Sequence, residues 1–241
     1  MGVLSIDLRL GRWQDVLADV ECDAIITDPP YGARTHSGQR HGRFDRSGES
    51  DGGRVIAVRG LPYEGWTHDD VGEFVESWEP RCRGWFVAHT SHDLCPVWEK
   101  ALSGRGRYVF APIACVQPAM NVRLAGDGPA NWAVWMMVSR PRTMKAWGAL
   151  PGAYVTPPGY RNGQAIPGGK PIALMRAIVS DYTRPGDLVC DPCAGGATTL
   201  IAASGLGRRA VGAEMDPETY AKAQDRIRRG VQLDMLEGST P

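Results

Sequence analysis

Short apolar runs alternate with helical patterns along this chain, and this alternation constrains the fold more than any other feature. Strands are predicted at Val3–Leu10, Asp23–Asp28, Gly84–Thr90, Arg107–Cys115, Asn131–Ser139, Asp187–Asp191 and Arg209–Glu214. Helices are predicted at Trp13–Ala18, Asp69–Trp78, His92–Leu102, Pro171–Tyr182, Ala197–Ser204 and Pro217–Arg229. Strands that alternate with helices form parallel sheets, whereas two strands with no helix between them form a hairpin. We therefore predict an α/β fold of the Rossmann-like type, mostly parallel, with an antiparallel hairpin at one sheet edge.

Length and composition indicate one domain over residues 1–241. The 241 residues, 43% of them hydrophobic, suffice for one substantial core. The chain has no apolar stretch near the roughly 20 residues that cross a bilayer, and its N-terminus lacks the layout of a signal peptide. Six scattered cysteines favour reduced thiols. We expect a cytoplasmic protein, and the oligomeric state stays open, with a homodimer as one option.

Two long irregular segments interrupt the α/β pattern. Residues 32–60 are rich in Gly, Ser, Arg and His, and residues 140–169 are rich in Pro and Gly, with Trp147, Tyr154 and Tyr160 among them. Long irregular segments inside a compact domain are usually functional. We predict that the first is a mobile active-site flap and that the second is an insertion that reads a nucleic acid.

A polar turn with an aromatic residue closes the predicted strand Asp23–Asp28. Its residues are Asp28, Pro29, Pro30 and Tyr31. A carboxylate and the carbonyl oxygens of the turn can accept hydrogen bonds from an exocyclic amino group, while the prolines fix φ and remove competing donors. The tyrosine ring can stack on a planar base. The turn therefore predicts a site for the amino group of a nucleobase.

A second motif, near the C-terminus, runs from strand to small-residue turn to helix to strand. The turn holds Asp191, Pro192, Cys193, Gly195 and Gly196, and the next strand ends at Glu214. Glycines let the backbone approach a ligand closely, and an acid at the end of the next strand is placed to bind ribose hydroxyls. The motif predicts a nucleoside cofactor at the same sheet edge as Asp28.

Basic residues are clustered although the net charge is zero. No Asp or Glu occurs between Gly128 and Ser180, and a second cluster follows the Asp28 turn. Such clusters are typical of a phosphate-contacting surface on a neutral chain. The predicted nucleic-acid contacts are Arg34, Arg40, Arg43, Arg140, Arg142, Lys145 and Arg161.

Together these motifs resemble the permuted (beta-class) S-adenosylmethionine-dependent amino-methyltransferases of DNA. Order and spacing match from the Asp28 block, through the Lys170-Pro171 helix start, to the Asp191 block and Glu214. The resemblance implies methyl transfer from S-adenosylmethionine to the N6 of a flipped adenine in DNA, with Asp28, Pro29, Pro30 and Tyr31 as catalytic residues. It implies cofactor contacts at Asp28, Lys170, Pro171, Asp191, Pro192, Cys193, Gly195, Gly196, Thr198 and Glu214.

The sequence departs from the family pattern at three positions and leaves the target base open. Cys193 and Ala197 stand where the family usually has Phe and Gly, and Arg12 stands where an acid is common near the cofactor adenine. Either Asp7 or Asp15 substitutes for that acid, or backbone groups alone hold the adenine. Asp28 favours adenine over cytosine N4, and related turns serve RNA and protein amides. A homologue that binds nucleic acid without transferring methyl, and pairing with a restriction enzyme, also stay open.

Three further patterns suggest other chemistry, but each has a simpler explanation. Cys193 invites cytosine-C5 methylation through a thiolate, yet it lies in the cofactor turn and not beside Tyr31. The pair Cys190 and Cys193, and the series His89, His92 and Cys95, have metal-like spacing with no second cluster. We predict packed side chains and no metal site. The Trp-rich stretch 131–137 is predicted as core strand.

Overall fold

A single sheet of nine strands runs through the residues that the computed structural model describes, namely 6–33, 64–118, 132–157 and 169–237. The strands are β1 Ile6–Leu10, β2 Ala24–Thr27, β3 Phe86–Thr90, β4 Arg107–Val109, β5 Ile113–Val116, β6 Ala133–Pro141, β7 Ala153–Val155, β8 Leu188–Asp191 and β9 Arg209–Glu214. The helices are α1 Trp13–Val16, α2 His68–Trp78, α3 Cys95–Ser103, α4 Ile172–Tyr182, α5 Thr198–Ser204 and α6 Pro217–Glu237, with a 3-10 turn at Glu79–Arg81.

The sheet order is β1-β9-β8-β2-β3-β6-β5-β7, with β4 also paired to β6. Strands β1, β9, β8, β2 and β3 are mutually parallel. Strand β6 is antiparallel to β3, and β4 and β5 are antiparallel to β6. The predicted α/β class, parallel in the centre with antiparallel strands to one side, is confirmed.

One predicted strand is wrong, and one strand was not predicted. The predicted strand Arg107–Cys115 is two strands, β4 and β5, both paired to β6. Pro112 stands between them and has no N–H to donate to a ladder. The antiparallel strands lie to one side of the sheet as predicted, and β4 pairs with β6 alone among the described strands. Strand β5 is flanked by β7, a parallel strand inside the predicted insertion that the sequence did not predict.

Helices cover both faces of the sheet. Helices α4, α5 and α6 bury Ile178, Leu200 and Ala223 in one apolar cluster, and α2 and α3 bury Phe74 and Trp98 in the other. A strand covered on both faces is apolar throughout, and all four residues of β2 are buried. The described helices include none that is both long and apolar enough to cross a membrane.

The direction of the strands places the sequence motifs at one edge of the sheet. Parallel strands end on the same side, so Leu10, Thr27, Thr90, Asp191 and Glu214 all lie at what we call the carboxyl edge. The opposite side, where β3 begins at Phe86, is called the amino edge. In open α/β sheets, ligands bind outside the carboxyl ends of the strands.

Candidate active site

The Asp28 turn lies at the carboxyl end of β2, where its side chains form a closed network. The Tyr31 hydroxyl donates to Asp28 Oδ1 at 2.9 Å. The Lys170 ammonium lies 2.6 Å from Asp28 Oδ2 and 2.7 Å from the Tyr31 hydroxyl oxygen. Its nitrogen is 5.1 Å from the centre of the Tyr31 ring. Carboxylate, phenol and ammonium therefore hold one another in a single arrangement.

Lys170 reaches this network from the residue before Pro171, the N-cap of α4. Its side chain is 7% exposed, and that of Asp28 is 25% exposed. Burial by itself raises the pKa of the Asp28 carboxyl, but the Lys170 charge, the electrostatic effect of His89 and the hydrogen bonds from Lys170 and Tyr31 together hold the pKa below its ordinary value. Asp28 is therefore a carboxylate at neutral pH, and so an acceptor only.

His89 is a buried residue of β3 next to the end of β2, and it was not predicted as a site residue. Its Nδ1 is 3.3 Å from the Thr27 carbonyl oxygen, and its Nε2 has no hydrogen-bond partner within the described part of the chain. Burial first, and then the Lys170 charge, lower the pKa of His89 to about 4. The ring is neutral at pH 7. It interacts electrostatically with Lys170 and Asp28, and the described residues form no group of three or more His, Cys, Asp or Glu side chains that could hold a metal ion.

The small-residue turn after β8 is tied directly to β2. The Thr27 hydroxyl donates to Asp191 Oδ1 at 2.7 Å, and the Cys193 backbone N–H donates to the same oxygen at 3.2 Å. Burial raises the pKa of Asp191 to about 6. Asp191 therefore joins the two sequence motifs into one site through its hydrogen bond with Thr27. Thr27 was not predicted as a site residue, because nothing in the sequence marks it except its position before Asp28.

The turn itself has an unusual backbone. Gly195 has φ +50°, and Ala197 has φ +60°, the left-handed region that favours glycine. Ala197 is fully buried at the N-cap of α5. Burial raises the pKa of the Cys193 thiol well above its ordinary value, which leaves it protonated and a poor nucleophile. This geometry does not suit covalent cytosine-C5 chemistry.

Glu214 ends β9 beside this turn. Its Oε1 accepts from the Asp216 backbone N–H at 2.7 Å, and its carbonyl accepts from the Gly11 N–H at 2.9 Å. Burial raises the pKa of the Glu214 carboxyl. Two large apolar side chains next to it are exposed, Leu10 at 46% and Met215 at 63%. A carboxylate between two exposed apolar surfaces can hold a ribose and a planar base.

Two further features at the carboxyl edge were missed by the sequence reasoning. Trp132 was predicted as core, but it is 47% exposed just before β6. The sequence pattern did not distinguish Trp132 from Trp135, because the residue at which a strand begins depends on its pairing with other strands. A cleft of about 510 Å³ also begins directly after Tyr31, lined by Gly32, Ala33, Trp66, Thr67, His68, Asp69, Asp93 and Leu94.

The predicted nucleic-acid contacts are separated by the fold. Arg140, Arg142 and Lys145 follow the pair Ser139 and Phe86, so they lie at the amino edge, across the sheet from Asp28. The reason is the direction of β6, which runs antiparallel to β3 and carries the chain away from the carboxyl edge. Arg34, Arg40, Arg43 and Arg161 lie outside the described residues, as do most of residues 32–60 and part of 140–169.

Two sequence comparisons match part of this chain to methylases. A family model described as DNA methylase matches residues 126–225. The putative methylase YubD of Escherichia coli (strain K12) is 31% identical over 80 residues, which are 33% of this chain and 35% of that protein. The matched segment thus spans about a third of the length of this curated relative.

Solved structures resemble nearly the whole chain. The M1.HpyAVI–SAM complex has a TM-score of 0.66 at 21% identity, covering 92% of this chain and 100% of that one. TTHA0409, a putative DNA modification methylase from Thermus thermophilus complexed with S-adenosyl-L-methionine, has 0.62 at 18%, covering 94% and 95%. The cytosine-N4-specific PvuII DNA methyltransferase has 0.62 at 15%, covering 94% and 91%. Residues 126–225 thus match the DNA methylase family, and the chain has the fold of these DNA methyltransferases.

Proposed function

We propose that this protein transfers a methyl group from S-adenosylmethionine to the exocyclic amino group of a base in DNA, and that the base is adenine, methylated at N6. One observation carries the proposal. An ionised carboxylate, Asp28, and an aromatic ring, Tyr31, stand at the end of β2 and are joined through Thr27 and Asp191 to a turn suited to a nucleoside cofactor.

The residues around β8 and β9 fit S-adenosylmethionine. Gly195 has the left-handed backbone that favours glycine, and a glycine lets a ligand such as the methionine part approach the turn closely. Glu214 offers a carboxylate for the ribose hydroxyls, and exposed Leu10 and Met215 offer apolar surface for the adenine ring. When bound, this cofactor supplies an electrophilic methyl group. Arg12, which replaces a common acid of the family, leaves the adenine amino group to backbone or to another acid.

The chain's own residues position the base. Asp28 accepts a hydrogen bond from one amino N–H. The carbonyl of the next residue, Pro29, accepts a hydrogen bond from the other. Acceptors on both N–H groups draw the nitrogen lone pair out of conjugation with the ring. Tyr31 stacks on the base and offsets part of the few kcal/mol that removal from the helix costs. Because no covalent nucleophile is used, the rate gain comes from positioning and electrostatics.

Asp28 supports adenine over cytosine. The resembling family usually has Asp at this position for adenine N6 and Ser for cytosine N4. Discrimination by one acceptor and pocket shape is incomplete, so a low level of cytosine N4 methylation is expected. The proposed DNA contacts are Arg34, Arg40, Arg43 and Arg161. These residues follow Tyr31 or precede Lys170 in the chain, and both of those lie at the carboxyl edge.

The test is to incubate the protein with unmethylated genomic DNA and S-adenosylmethionine, and to separate the nucleosides by mass spectrometry. N6-methyladenine is expected, and Asp28→Ala should abolish it while calorimetry shows cofactor affinity nearly unchanged. N4-methylcytosine as the main product would overturn the base assignment but keep the mechanism. 5-Methylcytosine would overturn both. A wild-type chain that binds DNA but no cofactor would support a homologue without methyl transfer.

A further inference from the structure

The amino edge of the sheet carries a second group of basic side chains, remote from the proposed site. We call this group the distal basic surface. It consists of Tyr108, Arg140, Arg142, Lys145, Trp147 and Arg184. Arg142, Lys145 and Arg184 are exposed, and Tyr108 is 47% exposed.

Contacts between arginines and aromatic rings make this surface continuous. The Arg140 guanidinium carbon lies 5.7 Å from the Trp85 ring centre and 5.8 Å from that of Phe110. The Arg142 carbon lies 5.8 Å from the Tyr108 ring centre, and the Tyr108 and Phe110 rings are 4.7 Å apart. These distances are within the range of cation–π attraction. The arginines are thus held in place, which lowers the entropy cost of using them to bind.

The same chain of contacts continues to α4. The Trp85 and Trp147 rings are 5.9 Å apart, and the Arg184 guanidinium carbon lies 3.7 Å from the Trp147 ring centre. The Trp147 indole N–H donates to the Asp181 carbonyl at 2.7 Å. Trp147 lies in the insertion that was predicted to read a nucleic acid, but Arg184 already covers its ring.

The basic side chains of this surface form no direct ion pair within the described part of the chain. Among the described residues, Arg140, Arg142, Lys145 and Arg184 have no carboxylate oxygen within 4.0 Å. Asp181 and Asp187 are each three positions from Arg184 in the chain, and neither pairs with its guanidinium. Asp181 accepts from the Tyr154 hydroxyl at 2.7 Å, and Asp187 accepts from the Arg184 backbone N–H at 2.6 Å. The surface therefore suits an anionic partner.

The chemistry of the surface fits phosphodiesters better than bases. A guanidinium packed on a ring keeps N–H donors at its rim, and these suit phosphate oxygens. Most of the rings are covered by arginines, which leaves Tyr108 as the one large exposed ring among the described residues of this surface. Stacking of several bases, as in single-strand binding proteins, requires more open rings.

We propose that the distal basic surface binds the phosphate backbone of a second DNA segment, separate from the segment whose base is methylated. The two edges are separated by the five residues of β3, roughly 17 Å of strand. A short duplex seated at the carboxyl edge cannot bend around to the amino edge, because DNA is stiff over about 150 base pairs. This binding goes beyond methyl transfer, and measuring it needs no cofactor.

The test counts duplexes per chain and measures the salt dependence of binding, using a fluorescent duplex of about 15 base pairs, which is too stiff at that length to bend from one edge to the other. The variant Arg142→Gln/Lys145→Gln removes two exposed charges from the surface. The matched control, Lys100→Gln/Arg228→Gln, removes two exposed charges from α3 and α6. The variant Arg142→Lys/Lys145→Arg keeps the charge. Unlabelled single-stranded DNA serves as competitor.

The wild type, the control and the charge-keeping variant should each bind a second duplex, and the Gln pair should not. In the Gln pair, the plot of the logarithm of the binding constant against the logarithm of salt concentration should be less steep, by up to about 0.9 for each phosphate that the variant no longer neutralises. Equal stoichiometry and slope in the Gln pair and the control would overturn the proposal, as would displacement of the second duplex by single strands alone. Self-association that the Gln pair abolishes, with DNA binding unchanged, would overturn it in favour of a second copy. Loss of the second duplex alone supports it, even if no methyl transfer is found.

Discussion

Lys170 is the main group that keeps the proposed catalytic carboxylate ionised. Lys170 is 142 positions from Asp28 in the chain, yet it forms the ion pair that offsets the effect of burial on that carboxyl. It also binds the Tyr31 hydroxyl, so it holds both the acceptor and the stacking ring. The family resemblance assigned Lys170 to the cofactor, and the contacts add a role toward the target base.

Lys170→Met should move the acid limb of the methylation rate to higher pH. Without the ammonium, burial raises the pKa of Asp28, so the carboxylate is lost at a higher pH as the solution is acidified. A pH–rate profile on genomic DNA measures the shift, and Lys170→Arg should restore most of the wild-type profile. An unmoved acid limb together with a weaker affinity for S-adenosylmethionine would instead assign Lys170 to the cofactor alone.

Among the secondary-structure elements, the end of β9 determines the cofactor assignment. Glu214→Gln should weaken S-adenosylmethionine binding by roughly 1.5 to 3 kcal/mol, the range for a hydrogen bond to a charged group. Calorimetry measures the loss. Glu218→Gln, which changes an exposed acid of α6 paired with Lys222, is the matched control and should leave affinity unchanged. Equal affinities in wild type and Glu214→Gln would place the ribose elsewhere.

A substitution at the N-cap of α5 tests whether the turn holds backbone strain. A non-glycine residue in the left-handed region costs about 1 to 2 kcal/mol, and Ala197→Gly removes this backbone strain. The same substitution loses a buried methyl group and makes the unfolded chain more flexible, so the stabilising and destabilising effects are roughly equal. We expect a free energy of unfolding within about 0.5 kcal/mol of wild type. Ala202→Gly, at a buried position inside α5, should cost about 1 kcal/mol or more. Denaturant unfolding compares the two, and equal losses would contradict the strain at Ala197.

The stability of the complete fold depends on two buried groups with opposite pH dependences. Asp191 has a folded pKa of about 6, so the folded state binds more protons than the unfolded chain below that pH, and stability rises on acidification from about 6. His89 has a folded pKa of about 4, so stability falls as the pH drops from its ordinary pKa toward 4. In the wild type the two effects partly cancel.

Asp191→Asn should reveal the pH dependence of stability that is due to His89. The amide oxygen can still accept from Thr27, and the buried charge is gone, so the variant should be more stable than wild type at pH 7, by on the order of 2 to 3 kcal/mol. Its stability should then fall steadily between pH 6 and 4, as measured by urea unfolding at each pH. Glu99→Gln, at an exposed position, should follow the wild-type curve. A stability of Asp191→Asn below wild type at pH 7 would contradict the raised pKa of Asp191.

Local structure and the order of the motifs were predictable from the pattern of amino acids. Apolar periodicity predicted most strands and helices, because burial on one or two faces leaves a repeat of fixed period. Parallel strands end on one side, so the order of elements alone placed Asp28, Asp191 and Glu214 at one edge. The fold class and the core of the site were therefore predictable.

Contacts between residues far apart in the chain were not predictable from sequence periodicity. Strand β7 is three residues long in a Pro- and Gly-rich segment, and it forms because β5 offers an unpaired edge. The pairing of β6 with β3 sends Arg140 to the amino edge, and the docking of α4 brings Lys170 to Asp28. Strand direction and long-range contacts depend on packing of the whole core, which leaves no periodic signal in the sequence.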